Sequence, residues 1–145
     1  MSCLYFAFGS NLERRRLEAR VGRVEVIDQG TLHGFSLQVN KPGLDGSAKA
    51  NVVVSSRERV WGVVYRIDAV ELEALDRFEG GYRRTGVTIR GRAAAIEAWT
   101  YIAEGRTDDL PFDWYKAHMV RGAAEHGLPP SWQQRLRNIP SKPAK

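Results

Sequence analysis

Two short stretches carry residues whose types could do chemistry. Glu79 stands in Leu75-Asp76-Arg77-Phe78-Glu79-Gly80-Gly81-Tyr82, where a helical pattern runs into two glycines. At a helix C-terminus the negative end of the dipole disfavours an ionised carboxylate and raises its pKa. Phe78, Tyr82 and glycine backbone would desolvate it further, whereas Arg83 and Arg84 push the other way. A carboxyl group raised in this manner is suited to proton transfer. The second stretch, Gly9-Ser10-Asn11, follows the apolar run Leu4 to Phe8 and precedes a helical pattern. Backbone N–H groups in such a turn, with the positive end of a helix dipole, favour a carboxylate or a developing oxyanion. Taken singly, a plain capped turn explains Gly9-Ser10-Asn11 equally well, and composition alone favours reading Glu79 as a solvated helix-end glutamate.

Other chemistries fall away. There is no phosphate-binding lysine loop and no dinucleotide glycine fingerprint. His33, His118 and His126 lack metal-ligand spacing and read as surface or partly buried groups. Cys3 is the only cysteine, which excludes an internal disulfide and a thiolate metal cage, and it reads as a small buried thiol. Ser10 lacks the flanking glycine pair of a nucleophile elbow. Lys and Arg number 22 against 17 Asp and Glu, a net charge of +5. That balance reads first as a solvated basic surface, ahead of a field that draws in a carboxylated small molecule or a nucleic acid. No zinc-finger or RNA-binding signature accompanies it, so no nucleic-acid partner is expected.

The elements that must position these residues belong to one domain over residues 1–140, with a frayed tail at 141–145. At 145 residues, 43% of them hydrophobic, the chain can bury a core without staples. No secretory signal opens the sequence and apolar runs are too short for a spanning helix, so a cytoplasmic protein without a membrane partner is expected. Strands are expected at 4–8, 24–27, 31–39, 51–55, 59–67, 84–89 and 94–103. Lys41 to Ser47 reads as a flexible loop. Helices are expected after Ser10, with Glu13 in a capping box and Leu12, Leu17 and Val21 facing inward, and from Asp68, with Val70, Leu72, Leu75 and Phe78 inward. Arg14, Arg15 and Arg16 belong mostly to the wet side of the first helix. Two more helices cover 112–126 and the segment from Ser131, where Gln134 takes the capping-box position. The pattern is α+β, a curled sheet or small barrel with helices packed outside.

Taken together, the segments resemble the γ-glutamylcyclotransferase family, within the AIG2-like superfamily. The resemblance rests on Tyr5-Phe6-Ala7-Phe8-Gly9-Ser10-Asn11-Leu12, Ala50-Asn51-Val52-Val53, Val60 to Tyr65, Leu75 to Gly80 with Tyr82, Tyr101, and Tyr115 to Pro129. It implies a small mixed β-barrel flanked by helices. It also implies cyclisation of a γ-glutamyl group, the α-amine attacking its own γ-carbonyl to release 5-oxoproline and an amine. The family's catalytic glutamate falls on Glu79. Its substrate loop falls on Tyr5 to Leu12, with Gly9, Ser10, Asn11 and Leu12 in the turn, and its aromatic pocket positions on Tyr82, Tyr101 and Tyr115.

Such a reaction needs little machinery, because the nucleophile belongs to the substrate. Holding a bent conformer can supply part of the roughly 7–11 kcal/mol available to well-oriented intramolecular reactions. No metal or cofactor is expected. One carboxyl group can take the ammonium proton and later deliver one to the leaving amine. Phe8 stands where many members carry tyrosine, and the short Gly80-Gly81-Tyr82 link predicts an open pocket. The same fold could act on γ-glutamyl-ε-lysine, a γ-glutamyl-protected intermediate or glutathione, or serve as an inactive binding domain. A homodimer is left open.

Overall fold

The computed structural model describes residues 1–144; Lys145, the end of the expected tail, lies outside the described residues. Five strands form a closed barrel in the order β1-β3-β2-β4-β5. They are β1 (Ser2–Ala7), β2 (Glu25–Pro42), β3 (Ala48–Asp68), β4 (Arg83–Gly91) and β5 (Ala95–Ile102). The helices are α1 (Arg14–Val21), α2 (Ala69–Phe78), α3 (Asp113–Glu125) and α4 (Pro130–Arg137). This is the α+β barrel with flanking helices that the sequence pattern implies.

β2 and β3 form one long antiparallel hairpin, from Glu25↔Arg66 to Pro42↔Ala48. The two strand pairs expected from the sequence are therefore two continuous strands. Register shifts between Val26/Asp28, His33/Phe35 and Val39/Lys41 bend them, and bulges of this kind let a long hairpin curl into a barrel. β1 runs antiparallel to β3 and parallel to β5, where Tyr5 faces Trp99. Closure there is sealed by the Thr100 hydroxyl, which donates to the Phe6 carbonyl at 2.8 Å. Fully buried Phe6, Val64, Tyr65 and Ile67 fill the core.

The first turn differs from a capping box. Gly9 precedes a single 3-10 turn over Ser10–Leu12, and no side chain caps it. Glu13 instead turns inward to accept from Arg121 Nε at 2.7 Å and to bond His118 Nδ1 at 2.6 Å. α3 can approach the turn this closely because residue 122 is glycine: a Cβ there would lie 2.4 Å from Glu13 N and 2.5 Å from the Leu12 carbonyl carbon.

α2 does start at Asp68, whose carboxylate accepts from Val70 N. Only Leu72 and Leu75 are buried on it; Val70 and Phe78 are exposed. α4 starts at Pro130 without a side-chain cap, and Gln134 Nε2 donates to Asn138 Oδ1 instead. The tail is tied in as far as Lys142, whose N–H bonds Pro111 O and whose carbonyl accepts from Asp113 N. Among the described residues no helix is long and apolar enough to cross a membrane.

Candidate active site

A cavity of about 370 Å³ opens beside the end of β1. The 3-10 turn forms one wall and the C-terminus of α2 another; the β2–β3 hairpin tip and the start of α3 complete it. Glu79 caps α2 and brings its carboxylate to the turn: Asn11 Nδ2 donates to Glu79 Oε1 at 3.0 Å. The same amide donates to the Tyr5 hydroxyl at 3.1 Å. The two sequence stretches, 68 positions apart, thus share one cavity.

The Glu79 side chain is only 12% exposed. Burial pushes its pKa above the usual carboxylate value, against the pull of Arg20, the Asn11 amide, Lys41 and Arg16. Arg20 Nη1 is 3.5 Å away, short of hydrogen-bond geometry. Arg83 and Arg84, expected to oppose the shift, turn elsewhere: Arg84 pairs with Asp76 at 3.2 Å, and Arg83 stands 3.9 Å from Glu104.

Tyr5, Gly9, Ser10, Asn11, Tyr82, Tyr101 and Tyr115 all line the cavity. Leu12 does not. Its side chain is fully buried, and its carbonyl lies 2.8 Å from both the Tyr65 hydroxyl and His126 Nε2. Gly9 sits against Ala50, where a Cβ would come within 2.8 Å of the alanine methyl. Two tyrosines then fix Ala50: the Tyr82 hydroxyl donates to its carbonyl at 2.6 Å, and the Tyr115 hydroxyl accepts from its N–H at 2.9 Å. The Tyr101 hydroxyl donates to Asp76 Oδ1 at 2.5 Å.

Within the turn, Leu12 N bonds Gly9 O and Glu13 N bonds Ser10 O, while the N–H groups of Ser10 and Asn11 find no acceptor among the described residues. Asn11 Oδ1 is buried and also lacks a partner. An unsatisfied buried polar atom costs about 1–3 kcal/mol. A site kept for function tolerates such a cost more readily than a purely structural one.

Sequence reasoning missed the cations. Arg16 and Arg20 lie four apart on α1, beside the buried Leu17 and Val21, and reach the cavity. Their i,i+4 spacing was the available signal. Arg16 is therefore not on the wet side: its Nε donates to Ser10 Oγ at 3.0 Å. Lys41, Lys49 and Trp114 also line the space. The expected flexible loop is pinned: Asp45 accepts from Ser47 N, Ser47 Oγ and Lys49 Nζ, which pulls its pKa down to about 2. Through Gly43, Leu44 and Asp45 this hairpin tip supplies a cavity wall opposite Glu79 and Gly80.

A sequence model described as the AIG2-like family matches residues 59–136. The human protein named gamma-glutamylcyclotransferase is 31% identical over 153 residues, covering 95% of this chain and 79% of that protein. The chain belongs to the γ-glutamylcyclotransferase family. The bovine protein of the same name is 30% identical, over 95% of this chain and 79% of that protein. A solved structure named gamma-glutamyl cyclotransferase superposes with a TM-score of 0.92 at 28% identity, over 98% of this chain and 90% of its own. Membership in the γ-glutamylcyclotransferase family makes this chain an enzyme of that type.

Proposed function

We propose that the chain cyclises γ-glutamyl compounds, with Glu79 as its general acid and base. The observation that carries this reading is a buried carboxylate of raised pKa hydrogen-bonded across the cavity to Asn11 of the turn. A substrate γ-glutamyl group folds so that its α-nitrogen faces its own γ-carbonyl carbon. Ionised Glu79 takes a proton from the ammonium, and the freed amine attacks that carbon. The new C–N bond closes a five-membered ring, and the carbonyl oxygen becomes an oxyanion. The N–H groups of Ser10 and Asn11, unclaimed by protein acceptors, supply donors for it. As the oxyanion collapses, the original amide C–N bond breaks, protonated Glu79 returns its proton to the departing nitrogen, and the second proton of the ring nitrogen passes to the released amine, which leaves as its ammonium. The products are 5-oxoproline and a free amine, with no net proton change on the enzyme.

The raised pKa suits both halves of the cycle, since an acid–base group works best with a pKa near the operating pH. Tyr5 and Asn11 hold the carboxylate's orientation, and Tyr82 and Tyr115 hold the wall that faces Gly9. Replacing Glu79 with Gln keeps the shape and removes the proton carrier. Turnover should fall at least about 100-fold, the low end for losing a general acid–base. The assay is release of 5-oxoproline from a mixed library of γ-glutamyl dipeptides, read by mass spectrometry. A folded E79Q protein that releases 5-oxoproline at the wild-type rate overturns the assignment.

A further inference from the structure

The cyclisation contains one proton transfer that Glu79 does not make. After the amine attacks, the ring nitrogen carries two protons, and the departing nitrogen needs two to leave as an ammonium. Glu79 delivers the one it took from the substrate; the other must cross from the ring nitrogen to its neighbour. Both nitrogens are bonded to the same carbon, so a direct hop would pass through a strained four-membered ring. A hydroxyl placed between them widens that ring to six members, giving its own proton to one nitrogen while taking one from the other.

Four tyrosines line the cavity, and their hydroxyl groups are not equally free. Tyr82 donates to the Ala50 carbonyl and Tyr101 to Asp76. Tyr115 is turned to Ala50 beside Gly9, where it accepts the Ala50 N–H. The Tyr5 hydroxyl accepts from Asn11 Nδ2 at 3.1 Å, and its own proton finds no acceptor among the described residues. Tyr5 is only 5% exposed, and a buried donor left unspent is costly unless something in the cavity accepts from it. The same Asn11 nitrogen donates to Glu79 Oε1 at 3.0 Å, so phenol and carboxylate flank one amide. Burial, and after it the Glu79 charge, push the Tyr5 hydroxyl far above its usual range. It stays a phenol, and a relay that gives and takes a proton together never passes through a phenolate.

We propose that Tyr5 is a second catalytic residue, a relay that hands its hydroxyl proton to the departing nitrogen and takes one from the ring nitrogen. This inference rests on the proposed cyclisation. As the oxyanion reforms the carbonyl, the electron pair of the breaking C–N bond stays on the departing nitrogen. That nitrogen gains one proton from Glu79 and one from Tyr5, while the ring nitrogen keeps one as the lactam N–H. Glu79 ends ionised and Tyr5 ends as a phenol, as both began.

Y5F removes the hydroxyl and keeps the ring. The test uses two substrates whose amines differ in basicity, γ-glutamyl-L-alanine and γ-glutamyl-p-nitroanilide, assayed for 5-oxoproline release. p-Nitroaniline is too weak a base to leave as an ammonium, so its departure needs no second proton. In Y5F, kcat on the alanine compound should fall about 100-fold, the low end for losing a proton-transferring side chain, and kcat on the anilide should stay near wild type. An equal loss on both substrates overturns the proposal, because Tyr5 would then only hold Asn11 in place. Full activity of Y5F on the alanine compound overturns it too. If wild type does not turn over the anilide, or Y5F fails to fold by circular dichroism, a proton inventory in mixed H2O and D2O decides on the alanine compound. Wild-type kcat should then curve with deuterium fraction, as more than one proton moves, and a straight line overturns the relay. Release of 5-oxoproline by wild type from neither compound, nor from the dipeptide library, overturns the cyclisation reading itself.

Discussion

Two buried glutamates flank the same turn, and the surroundings drive them in opposite directions. Glu13 leaves the turn on its α3 side and Glu79 meets it on its cavity side. Burial alone would raise the pKa of both. Around Glu13, two side chains bond its two oxygens at 2.6 and 2.7 Å, and these hydrogen bonds from Arg121 and His118 overcome the burial and pull its pKa down. Glu79 receives one neutral amide and an ion pair with Arg20 at 3.5 Å that donates no hydrogen bond, so burial prevails. The number and geometry of close donors decide whether a buried carboxylate acts as a brace or as a proton carrier.

Glutamine at each position should expose that contrast as two pH profiles of stability. Glu13, with its folded pKa lowered, contributes stability that is present above its unfolded value near 4.5 and lost as pH falls through the lower, folded value. E13Q should therefore cost about 1–3 kcal/mol at neutral pH, the range for leaving charged partners without their anion when one partner remains half exposed. The deficit should shrink in acid. Glu79 has the opposite sign: ionising it opposes folding, so wild-type stability falls as pH rises from about 4.5 through its raised value. E79Q removes that fall, and its stability relative to wild type should increase over the same interval. Urea denaturation at a series of pH values measures both, and two curves that shift in the same direction would refute the contrast.

How much of this could be read in the sequence depended on whether the signal was local. The β1–turn stretch, the Asp68 cap and the position of Glu79 at the end of α2 are local features, and each leaves a pattern within a few residues. The barrel's continuous β2 and β3 were less legible, because bulges at Val26/Asp28, His33/Phe35 and Val39/Lys41 interrupt the alternation and mimic loops. The brace at Glu13 could not be read at all. Its partners His118 and Arg121 lie 105 and 108 residues away, and its spacing three residues after Ser10 made it look like half of a capping box. The same held for Lys41 and Lys49, which sit at opposite ends of a hairpin tip and reach the cavity only because that tip folds over it. In Arg14-Arg15-Arg16, three identical residues differ in role, and helical phase alone separates them.

Removing the guanidinium nearest Glu79 should push the two glutamates further apart. Among the groups that lower the Glu79 pKa, Arg20 has the largest effect. With the charge gone in R20M, the carboxylate should titrate at a still higher pH. Under the proposed mechanism the base must be ionised to accept the ammonium proton, so the acid limb of kcat/KM should move to higher pH while Glu13-dependent stability stays as in wild type. A profile whose acid limb does not move, or moves to lower pH, would separate Glu79 from the rate-determining proton transfer.

The smallest effect tests whether the turn between the glutamates is held as one unit. The Leu12 carbonyl, the Tyr65 hydroxyl and His126 Nε2 lie mutually 2.8 Å apart. Tyr65 is fully buried, and its hydroxyl donates to that carbonyl. Y65F deletes this donor but leaves His126 within reach, so its cost should stay near the ~1 kcal/mol of a single hydrogen bond. In the double variant Y65F/H126L the carbonyl loses its last donor, and an unsatisfied buried acceptor costs more than the bond that served it. The double variant should therefore be less stable than the sum of the two single changes, and its 5-oxoproline turnover should fall as the Asn11–Glu79 contact loosens. Strict additivity in the double-mutant cycle would mean that Tyr65 and His126 support the turn independently.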